Sequence, residues 1–289
     1  MSRQTNNNIL VPTDFSDVAE CAVKHAINVA KAYKNEITLM YVIEEGLLGS
    51  IFSKSQSDLL KDAMQTKLQV RAEAIAKETG IKIATRIGSG KVYKVVAETA
   101  NIEKYDSIIM GSHGANGLER IVGSNASRTI QYAEVPVVVV KNSTVSSDGY
   151  KKIVMPFDLT IESRQKLDWG INIAQKFHSE IHIVYTRPDD EYLSNRMIAN
   201  IKLVESALKT HKVNYKLYEF KDSLLDNFAT EVHNYANIID ADLIVAMTHM
   251  EKGISELIIG TMTQQLVNRA GKVAVMCIHP TETGFSYDY

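Results

Sequence analysis

The glycine-rich stretch GSHGANGLERIVGSN, residues 111–125, contains the residue types best suited to hold a ligand. It lies between DSIIM, whose apolar composition predicts a buried strand, and ASRTIQYAE, whose pattern predicts a helix. Four glycines within thirteen positions let a ligand approach the main chain closely, and the N-terminus of the following helix presents N–H groups and the positive end of its dipole. These features favour a phosphate group, which Gly123 would admit and to which the Ser124 hydroxyl could donate a hydrogen bond.

A second group of polar residues, PTDFS at 12–16, follows the predicted first strand. In an open parallel sheet, ligands bind outside the carboxyl ends of the strands, next to the point where the strand order reverses. Asp14 could therefore accept hydrogen bonds from an adenine or a ribose. The structural alternative is that the glycines serve only a turn and that Asp14 and Ser16 cap the first helix. Spacing alone leaves both interpretations open.

The sequence contains no residue set that indicates catalysis or a metal site. GSGK at 88–91 resembles part of a phosphate-binding loop, but Thr85 and Val92 stand where that motif needs Gly and Ser or Thr, so it predicts the turn that opens the third helix. The eight histidines lack the spacing of metal ligands. His113 is a candidate ligand contact or a structural residue, with a catalytic role as the third alternative, for which no partner carboxylate can be assigned. The adjacent Ser112 is not placed to form a catalytic triad with it.

The composition predicts a globular, cytoplasmic protein. A chain of 289 residues with 45% apolar residues is long enough for two domains. A formal net charge of -2 gives no reason to expect nucleic acid or an anionic membrane as a partner. No apolar run reaches the length of a membrane span, and the polar start MSRQTNNN lacks a signal core. Cys21 and Cys277 are expected to be buried apolar residues rather than a disulfide or a metal pair.

The chain contains an internal repeat. NILVPTDFSD at 8–17 returns as KIVMPFDLTI at 152–161, with the Pro-x-Asp pattern kept after a β-rich run. The polar, turn-rich segment NSTVSSDGY at 142–150 lies between the copies and is predicted to be a linker. We predict an N-terminal domain at 1–143 and a C-terminal domain at 150–289.

Each copy alternates strand-like and helix-like segments. In the first copy, strands are predicted at 8–12, 36–43, 81–87, 106–110 and 135–141, and helices at 16–34, 56–79, 91–103 and 124–132. Runs such as IIM and VVVV are apolar on both faces, which is typical of a parallel sheet covered by helices. The second copy follows the same order. The predicted fold class is α/β, with two tandem doubly wound parallel five-stranded sheets of Rossmann-like type.

The segments ILVPTDFSD, DSIIMGSHG and GSNASRTIQYAEVPVVVVK resemble the universal stress protein family, and the resemblance covers essentially the whole chain as a tandem pair of domains. It implies a strand order of 3-2-1-4-5 and, in one subgroup, ATP binding through the pattern G-x2-G-x9-G-[ST]. Carried over to this chain, it places the base by Pro12, Thr13, Asp14 and Val42, the ribose and α-phosphate by Met110, Gly111, His113 and Gly114, and the phosphates by Gly123, Ser124, Asn125 and Ala126.

The N-terminal copy departs from this pattern in one place. Gly114 and Gly123 are separated by eight residues instead of nine. The missing residue predicts a tighter or differently routed phosphate loop. It therefore weakens the case for a triphosphate more than the case for an adenosine nucleotide.

The C-terminal copy departs in another way. Met247 and Met250 stand where the first copy has Gly111 and Gly114, and their side chains would fill space that the ribose and phosphates need. We expect this copy not to bind ATP and to act as a scaffold or regulator. Asp158, the counterpart of the first-strand aspartate, is then left to cap a turn.

We therefore expect the N-terminal domain to bind an adenine nucleotide, ATP or else AMP or ADP, with magnesium accompanying ATP, and to act in stress response or signalling without fast catalysis. One alternative is a nucleotide-independent interaction protein of the same fold, with an unidentified protein partner. Another is a slow ATPase, although no acidic metal ligand is evident near Arg120 and Arg128.

Two segments are candidates for contacts beyond the site. The last strands of the copies, VPVVVVK and KVAVMCI, are candidates for the face that joins the halves as an intramolecular pseudo-dimer, because the family resemblance implies pairing through that edge, and a homodimer is left open. EEGLLGSIFSKS at 44–55 is predicted to be a lid or partner surface, or else a short helix packed on its own domain.

Overall fold

The protein was analysed as a computed structural model. The structure describes residues 6–44, 54–112, 123–141, 149–160, 162–221, 228–248, 261–269 and 271–280. Most of the glycine-rich loop, most of the predicted linker and most of the segment at 44–55 lie outside these residues.

In the N-terminal half, strands and helices alternate as the sequence predicts. The elements are β1 (Asn8–Pro12), α1 (Asp17–Tyr33), β2 (Glu36–Ile43), α2 (Lys54–Thr79), β3 (Ile83–Ser89), α3 (Val92–Ile102), β4 (Ser107–Gly111), α4 (Ser124–Tyr132) and β5 (Val137–Val140).

The C-terminal half repeats this order within its described residues. The elements are β6 (Lys152–Phe157), α5 (Glu162–Phe177), β7 (Glu180–Thr186), α6 (Glu191–Thr210), β8 (Asn214–Phe220), α7 (Phe228–Ile238), β9 (Leu243–Met247), α8 (Thr261–Arg269) and β10 (Ala274–Ile278).

The strands form one sheet of ten, in the order β3-β2-β1-β4-β5-β10-β9-β6-β7-β8. Within each half all the pairings are parallel, and each half has the predicted order 3-2-1-4-5. The halves meet at β5 and β10, which pair antiparallel, with Val139 opposite Val275. The strands that the sequence named as the junction therefore turn two five-stranded sheets into a continuous one.

Local sequence signals explain the entry into the first helix. The Ser16 hydroxyl accepts a hydrogen bond from the Ala19 N–H at 3.2 Å, which caps the N-terminus of α1. Asp17 and Glu20 place negative charge in the first turn, next to the positive end of the helix dipole. The helix ends at Lys34, which adopts a left-handed conformation with φ of 61°.

Helices cover both faces of the sheet and enclose two apolar layers. Successive residues of a strand point to opposite faces, so Ile9 lies in one layer and Leu10 in the other. Each layer also contains residues of the C-terminal half, Met155 in the first and Val154 in the second. The two halves thus share a core across the β5–β10 junction.

Helices α1 and α5 reinforce this junction on one face. The Tyr33 hydroxyl donates to Asn172 Oδ1 at 2.7 Å, and His25 Nδ1 lies 3.3 Å from the Tyr150 hydroxyl. Burial lowers the pKa of His25 to about 4, so the imidazole is neutral at pH 7. Contacts between the halves therefore extend from the sheet to the helices that cover it.

A polar atom buried at the junction of β5 and β10 should lower the stability of the folded protein. Val139 is fully buried, so Val139→Thr is expected to lower the free energy of unfolding by about 1–3 kcal/mol. The reason is that the threonine hydroxyl would lose its hydrogen bonds to water when it is buried at the β5–β10 junction. Urea unfolding measures the change. Val70→Thr is the matched control, since this side chain is 63% exposed and the change should be within about 0.5 kcal/mol. Equal effects of the two substitutions would show that the seam adds nothing to stability.

Candidate functional site

The carboxyl ends of β1 and β4 lie side by side at the point where the strand order reverses in the N-terminal half. The register pairs Ile9 with Ser107, and extending it by four residues brings Thr13 beside Gly111. On the other side β1 pairs with β2, with Pro12 opposite Met40, so Asp14 falls level with Val42. The topology therefore brings together, at one edge of the sheet, the segment at 12–16 and the start of the glycine-rich stretch at 111, each of which the sequence predicts as a ligand contact.

The turn after β1 is held by its own side chains. Thr13 Oγ1 accepts a hydrogen bond from the Phe15 N–H at 3.0 Å, and Asp14 Oδ1 accepts one from the Ser16 N–H at 3.0 Å. Asp14 is exposed at the rim, whereas Thr13 is buried. The structural role weighed for Asp14 and Ser16 is therefore present, and it leaves the carboxylate at the rim of the edge.

Phe15 is a member of this edge that the sequence reasoning missed. Its φ is 63°, a left-handed conformation that is uncommon for an aromatic residue. The ring stacks on Tyr41 with centroids 5.7 Å apart, and the Lys67 ammonium lies 4.0 Å from the ring centroid. Two features of the sequence could have identified this pair. They are the large Phe15 between Asp14 and the helix cap, and the aromatic Tyr41 near the end of the second strand.

Gly111 has a packing reason to be glycine. A Cβ atom there would lie 2.8 Å from Val18 Cγ1 and 3.4 Å from the Val18 main chain, so α1 and β4 meet closely only because the side chain is absent. Met110, the residue before it, is buried in the sheet. The glycine therefore serves the contact between helix and strand, whether or not it also admits a ligand.

The two ends of the glycine-rich loop are tied together. The Ser112 N–H donates to Val140 O, and the Ser112 carbonyl accepts the Gly123 N–H, each at 2.7 Å. The main chain therefore leaves β4 and enters α4 at nearly the same place. The residues between these ends, which include His113 and Gly114, lie outside the described residues.

Helix α4 begins at this edge without a side-chain cap. Gly123 is its N-cap, with φ of -60° and ψ of 149°, and its own N–H is already bonded to Ser112. The N–H groups of the next three residues, Ser124, Asn125 and Ala126, belong to the first turn, where a helix supplies no acceptor. An anion at this edge would therefore meet the amides of 124–126 rather than the Gly123 amide.

The C-terminal half uses the same position differently. Asp158 Oδ1 accepts hydrogen bonds from the Thr160 N–H at 2.9 Å, from the Ser163 hydroxyl at 2.6 Å and from the Thr160 hydroxyl. Lys166, which is 1% exposed, donates from Nζ to the carbonyl of Pro156 and lies 3.3 Å from Ser163 Oγ. The predicted turn-capping role of Asp158 is present, within a buried cluster that the sequence reasoning missed.

The pKa values of both charged groups in this cluster, Lys166 and Asp158, are lower than their ordinary values. Burial lowers the pKa of the Lys166 ammonium from 10.5 to about 8, although the Asp158 carboxylate opposes that shift. Burial acts to raise the pKa of Asp158, but the Lys166 charge and the hydrogen bonds from Ser163 and Thr160 outweigh it, so this pKa lies below its ordinary value. The signal in the sequence was a lysine on the apolar stripe of a helix, where the first copy has Ala22.

The remaining members of the second edge also differ from the first. Met247, in the place of Gly111, is buried at the end of β9, and its carbonyl accepts the Thr263 hydroxyl at 2.8 Å. Met250 lies outside the described residues. The expectation that methionine fills ligand space at this edge stays a prediction, since Met247 is a member of the same apolar core cluster as Met155.

A histidine links this second edge to the first half. His279 Nδ1 lies 2.7 Å from the Thr248 hydroxyl, and His279 Nε2 donates to the carbonyl of Ile130. Ile130 is in the last turn and a half of α4, the helix whose N-terminus borders the N-terminal edge. One side chain therefore joins the C-terminal edge to the opposite end of that helix.

Other chemistries find little support among the described residues. In that part of the chain, no three His, Cys, Asp or Glu side chains come together as a metal site, and no helix is long and apolar enough to cross a membrane. The segment 88–91 forms the end of β3 and the turn into α3, where the Gly90 N–H donates to Ile43 O. It is the structural turn that its sequence predicts.

The fold and its edges define a tandem, doubly wound α/β protein. The sequence model of the universal stress protein family matches residues 5–141 and again residues 149–279, so the chain belongs to that family. The universal stress protein MJ0531 of Methanocaldococcus jannaschii is 40% identical over 138 residues, which is 46% of this chain and 81% of that protein. MJ0577 of the same organism is 36% identical over 155 residues, 46% of this chain and 93% of that protein.

Solved structures show the same tandem fold. A universal stress protein from Archaeoglobus fulgidus DSM 4304 superposes with a TM-score of 0.78 at 20% identity, covering 96% of this chain and 100% of that one. A structure from Pseudomonas aeruginosa UCBPP-PA14 superposes with a TM-score of 0.66 at 17% identity, covering 95% and 93%. At these identities the likeness concerns the fold.

The packing explanation of Gly111 can be tested by a double exchange. Gly111→Ala is expected to lower the free energy of unfolding by about 1–3 kcal/mol, because the new methyl group collides with Val18. Adding Val18→Ala removes the colliding atoms, so the double variant should be more stable than the sum of the single effects predicts. Denaturant unfolding of the four chains gives the interaction energy. Strict additivity would rule out the contact as the reason for glycine.

The buried lysine predicts a specific pH dependence. Because the Lys166 pKa falls on folding from 10.5 to about 8, the unfolded chain binds more protons between these pH values and stability rises with pH across that window. The rise should approach about 1.4 kcal/mol per pH unit at its steepest. Unfolding of the wild type and of Lys166→Met from pH 7 to 10.5 measures it as a difference. Parallel curves for the two chains would contradict the shift.

Proposed function

We propose that the N-terminal half binds an adenine nucleotide, in the first instance ATP, and that the protein acts as a nucleotide-dependent module in stress response or signalling. The base would lie by Pro12, Thr13, Asp14 and Val42, and the phosphates by the first turn of α4. The observation that carries this proposal is the juxtaposition at one edge of the Asp14 carboxylate and the uncapped N-terminus of α4. We propose no catalytic step.

The geometry supports complementary roles for the two elements. Asp14 is exposed at the rim, and a carboxylate there can accept hydrogen bonds from the amino group of a base or from a ribose hydroxyl. First-turn amides and the dipole of α4 favour negative charge. A molecule with hydrogen-bond donors at one end and phosphate at the other matches both elements, and an adenine nucleotide is such a molecule.

The family pattern supports the same assignment. The residues carried over from it at Met110, Gly111, His113 and Gly114 would line the ribose and α-phosphate, and those at Gly123, Ser124, Asn125 and Ala126 the phosphates. The Gly123 amide is bonded to Ser112, and the loop is one residue short, so the structure favours contacts through the amides of 124–126. AMP and ADP are therefore natural competitors of ATP in any test. Magnesium would accompany ATP through the phosphates.

A nucleotide-independent scaffold of the same fold is the second candidate function. It is favoured by the shortened loop and by the C-terminal edge, where Asp158 is engaged by Thr160 and Ser163. In that case the junction of the two halves, rather than a ligand, would be the functional element. A protein partner, a cytoplasmic location and the predicted domains at 1–143 and 150–289 are further parts of the proposal that rest on the sequence.

Nucleotide content and affinity decide between these functions. We expect the purified protein to carry adenine nucleotide, raising its 260/280 nm absorbance ratio, and the stripped protein to bind one equivalent of ATP in a calorimetric titration. Gly123→Val should weaken binding by at least about tenfold, because its side chain would cover the first-turn amides. The backbone angles of Gly123 are allowed for valine, so no loss of folding is expected.

Gly271→Val is the matched control for that substitution. Gly271 follows α8, and a Cβ atom there comes no closer than 3.8 Å to the Arg269 carbonyl, an ordinary contact. This variant should bind ATP as the wild type does. A wild type that neither carries nor binds any adenine nucleotide would exclude the first function and leave the scaffold. Unchanged affinity of the Gly123 variant would show that the site lies elsewhere.

A further inference from the structure

The two copies place the same aspartate in different electrostatic settings. Asp14 is exposed at the rim of its edge, and the Ser16 amide donates to it. Asp158 is half-buried and accepts hydrogen bonds from Thr160 and Ser163 on one carboxylate oxygen. The strands that carry the two residues are alike, whereas the turns differ in conformation at Phe15, whose φ is 63°, and the helices that follow differ in sequence.

Two helix positions contribute to the difference. The places of Ser163 and Lys166 on α5 are taken on α1 by Ala19 and Ala22, which are buried and have no polar atom in their side chains. Below Asp158, the Lys166 ammonium contacts the Pro156 carbonyl and Ser163, and it lies 4.8 Å from the centroid of the Phe157 ring. The C-terminal copy therefore contains its own cation beneath the aspartate.

We propose that Lys166 determines which copy binds the nucleotide, because its buried ammonium contacts the Ser163 hydroxyl that donates to Asp158, and this network holds one oxygen of that carboxylate in internal hydrogen bonds. This inference rests on the proposed function. Turning Asp158 outward to a ligand would break the bonds from Ser163 and Thr160 and draw the negative charge away from a buried ammonium. Separating a buried charge from a nearby opposite charge is unfavourable.

This exclusion is separate from the steric one expected of the methionines. Met247 lies at the end of β9, in the same apolar core cluster as Met155, whereas Lys166 acts between β6 and α5, where the base would be recognised. The lowered pKa of Asp158 agrees with a carboxylate stabilised by a neighbouring cation. The copies therefore differ in electrostatics at the place where the base would be recognised.

Grafting the network into the N-terminal copy tests the inference directly. The double variant Ala19→Ser/Ala22→Lys is expected to weaken ATP binding by at least about tenfold in a calorimetric titration. The matched control is Ala19→Ser/Ala22→Met, which adds similar bulk and the same hydroxyl without the ammonium, and it should retain clearly tighter binding. Equal loss in both variants would assign the effect to bulk, and equal retention would remove any effect of the cation. Either result overturns the inference.

The reverse exchange, in the C-terminal copy, tests the inference if the Ala19→Ser/Ala22→Lys variant does not fold, as judged by circular dichroism. Met247→Gly/Met250→Gly together with Lys166→Ala should add a second equivalent of bound ATP, whereas Met247→Gly/Met250→Gly alone should stay at one. The same stoichiometry in both chains would overturn the inference. Failure of the proposed function is distinguishable, because the wild-type chain itself would then bind no ATP.

Discussion

The antiparallel pairing of β5 with β10 is the interaction on which the rest of the structure depends. It joins two strands that consist entirely of buried apolar residues in their paired segments, with Val139 opposite Val275 at the centre. Without it, each half would expose a flat apolar edge of the kind that promotes self-association. With it, the two apolar layers run through both halves, and the helices α1 and α5 come into contact across the junction.

Because the chain contains two copies of one fold, the features that both copies share can be distinguished from those that a ligand would require of one copy. The strands, the sheet order and the Pro-x-Asp turn are kept in both halves, because each is needed to position a helix over the sheet. The chemistry at the strand ends is not kept. One aspartate stays at a rim, and the other is half-buried and accepts hydrogen bonds from two hydroxyl groups, one of which contacts a buried lysine.

The sequence predicts most of the architecture because apolar periodicity and turn residues are local signals. The bounds of α4 agree with the prediction, those of α1 differ by one residue at each end, and β3 is displaced by two, since alternation alone does not mark where pairing stops. The strand order came from the family resemblance. Confirmation of the fold follows from these elements and from the family match to both halves.

The parts of the site that sequence reasoning missed are those that depend on tertiary contacts. The left-handed Phe15 is stabilised by Tyr41 and Lys67, which are distant in sequence. The reason for glycine at 111 is the position of Val18 on another element, and no spacing rule contains it. Lys166 looked like one more lysine of an amphipathic helix, because burial of its ammonium is decided by Asp158 and by the carbonyl of Pro156.

The antiparallel seam also has a directional consequence. Because the strands of the two halves run in opposite senses, their carboxyl ends point toward opposite poles of the molecule. The edge with Asp14 and the edge with Asp158 therefore face away from each other, so a molecule bound at one would not cover the other. The two ends of the molecule therefore differ in their side-chain chemistry. His279 connects them, because it lies beside Thr248 at the C-terminal edge and contacts Ile130 of α4, the helix that begins at the N-terminal edge.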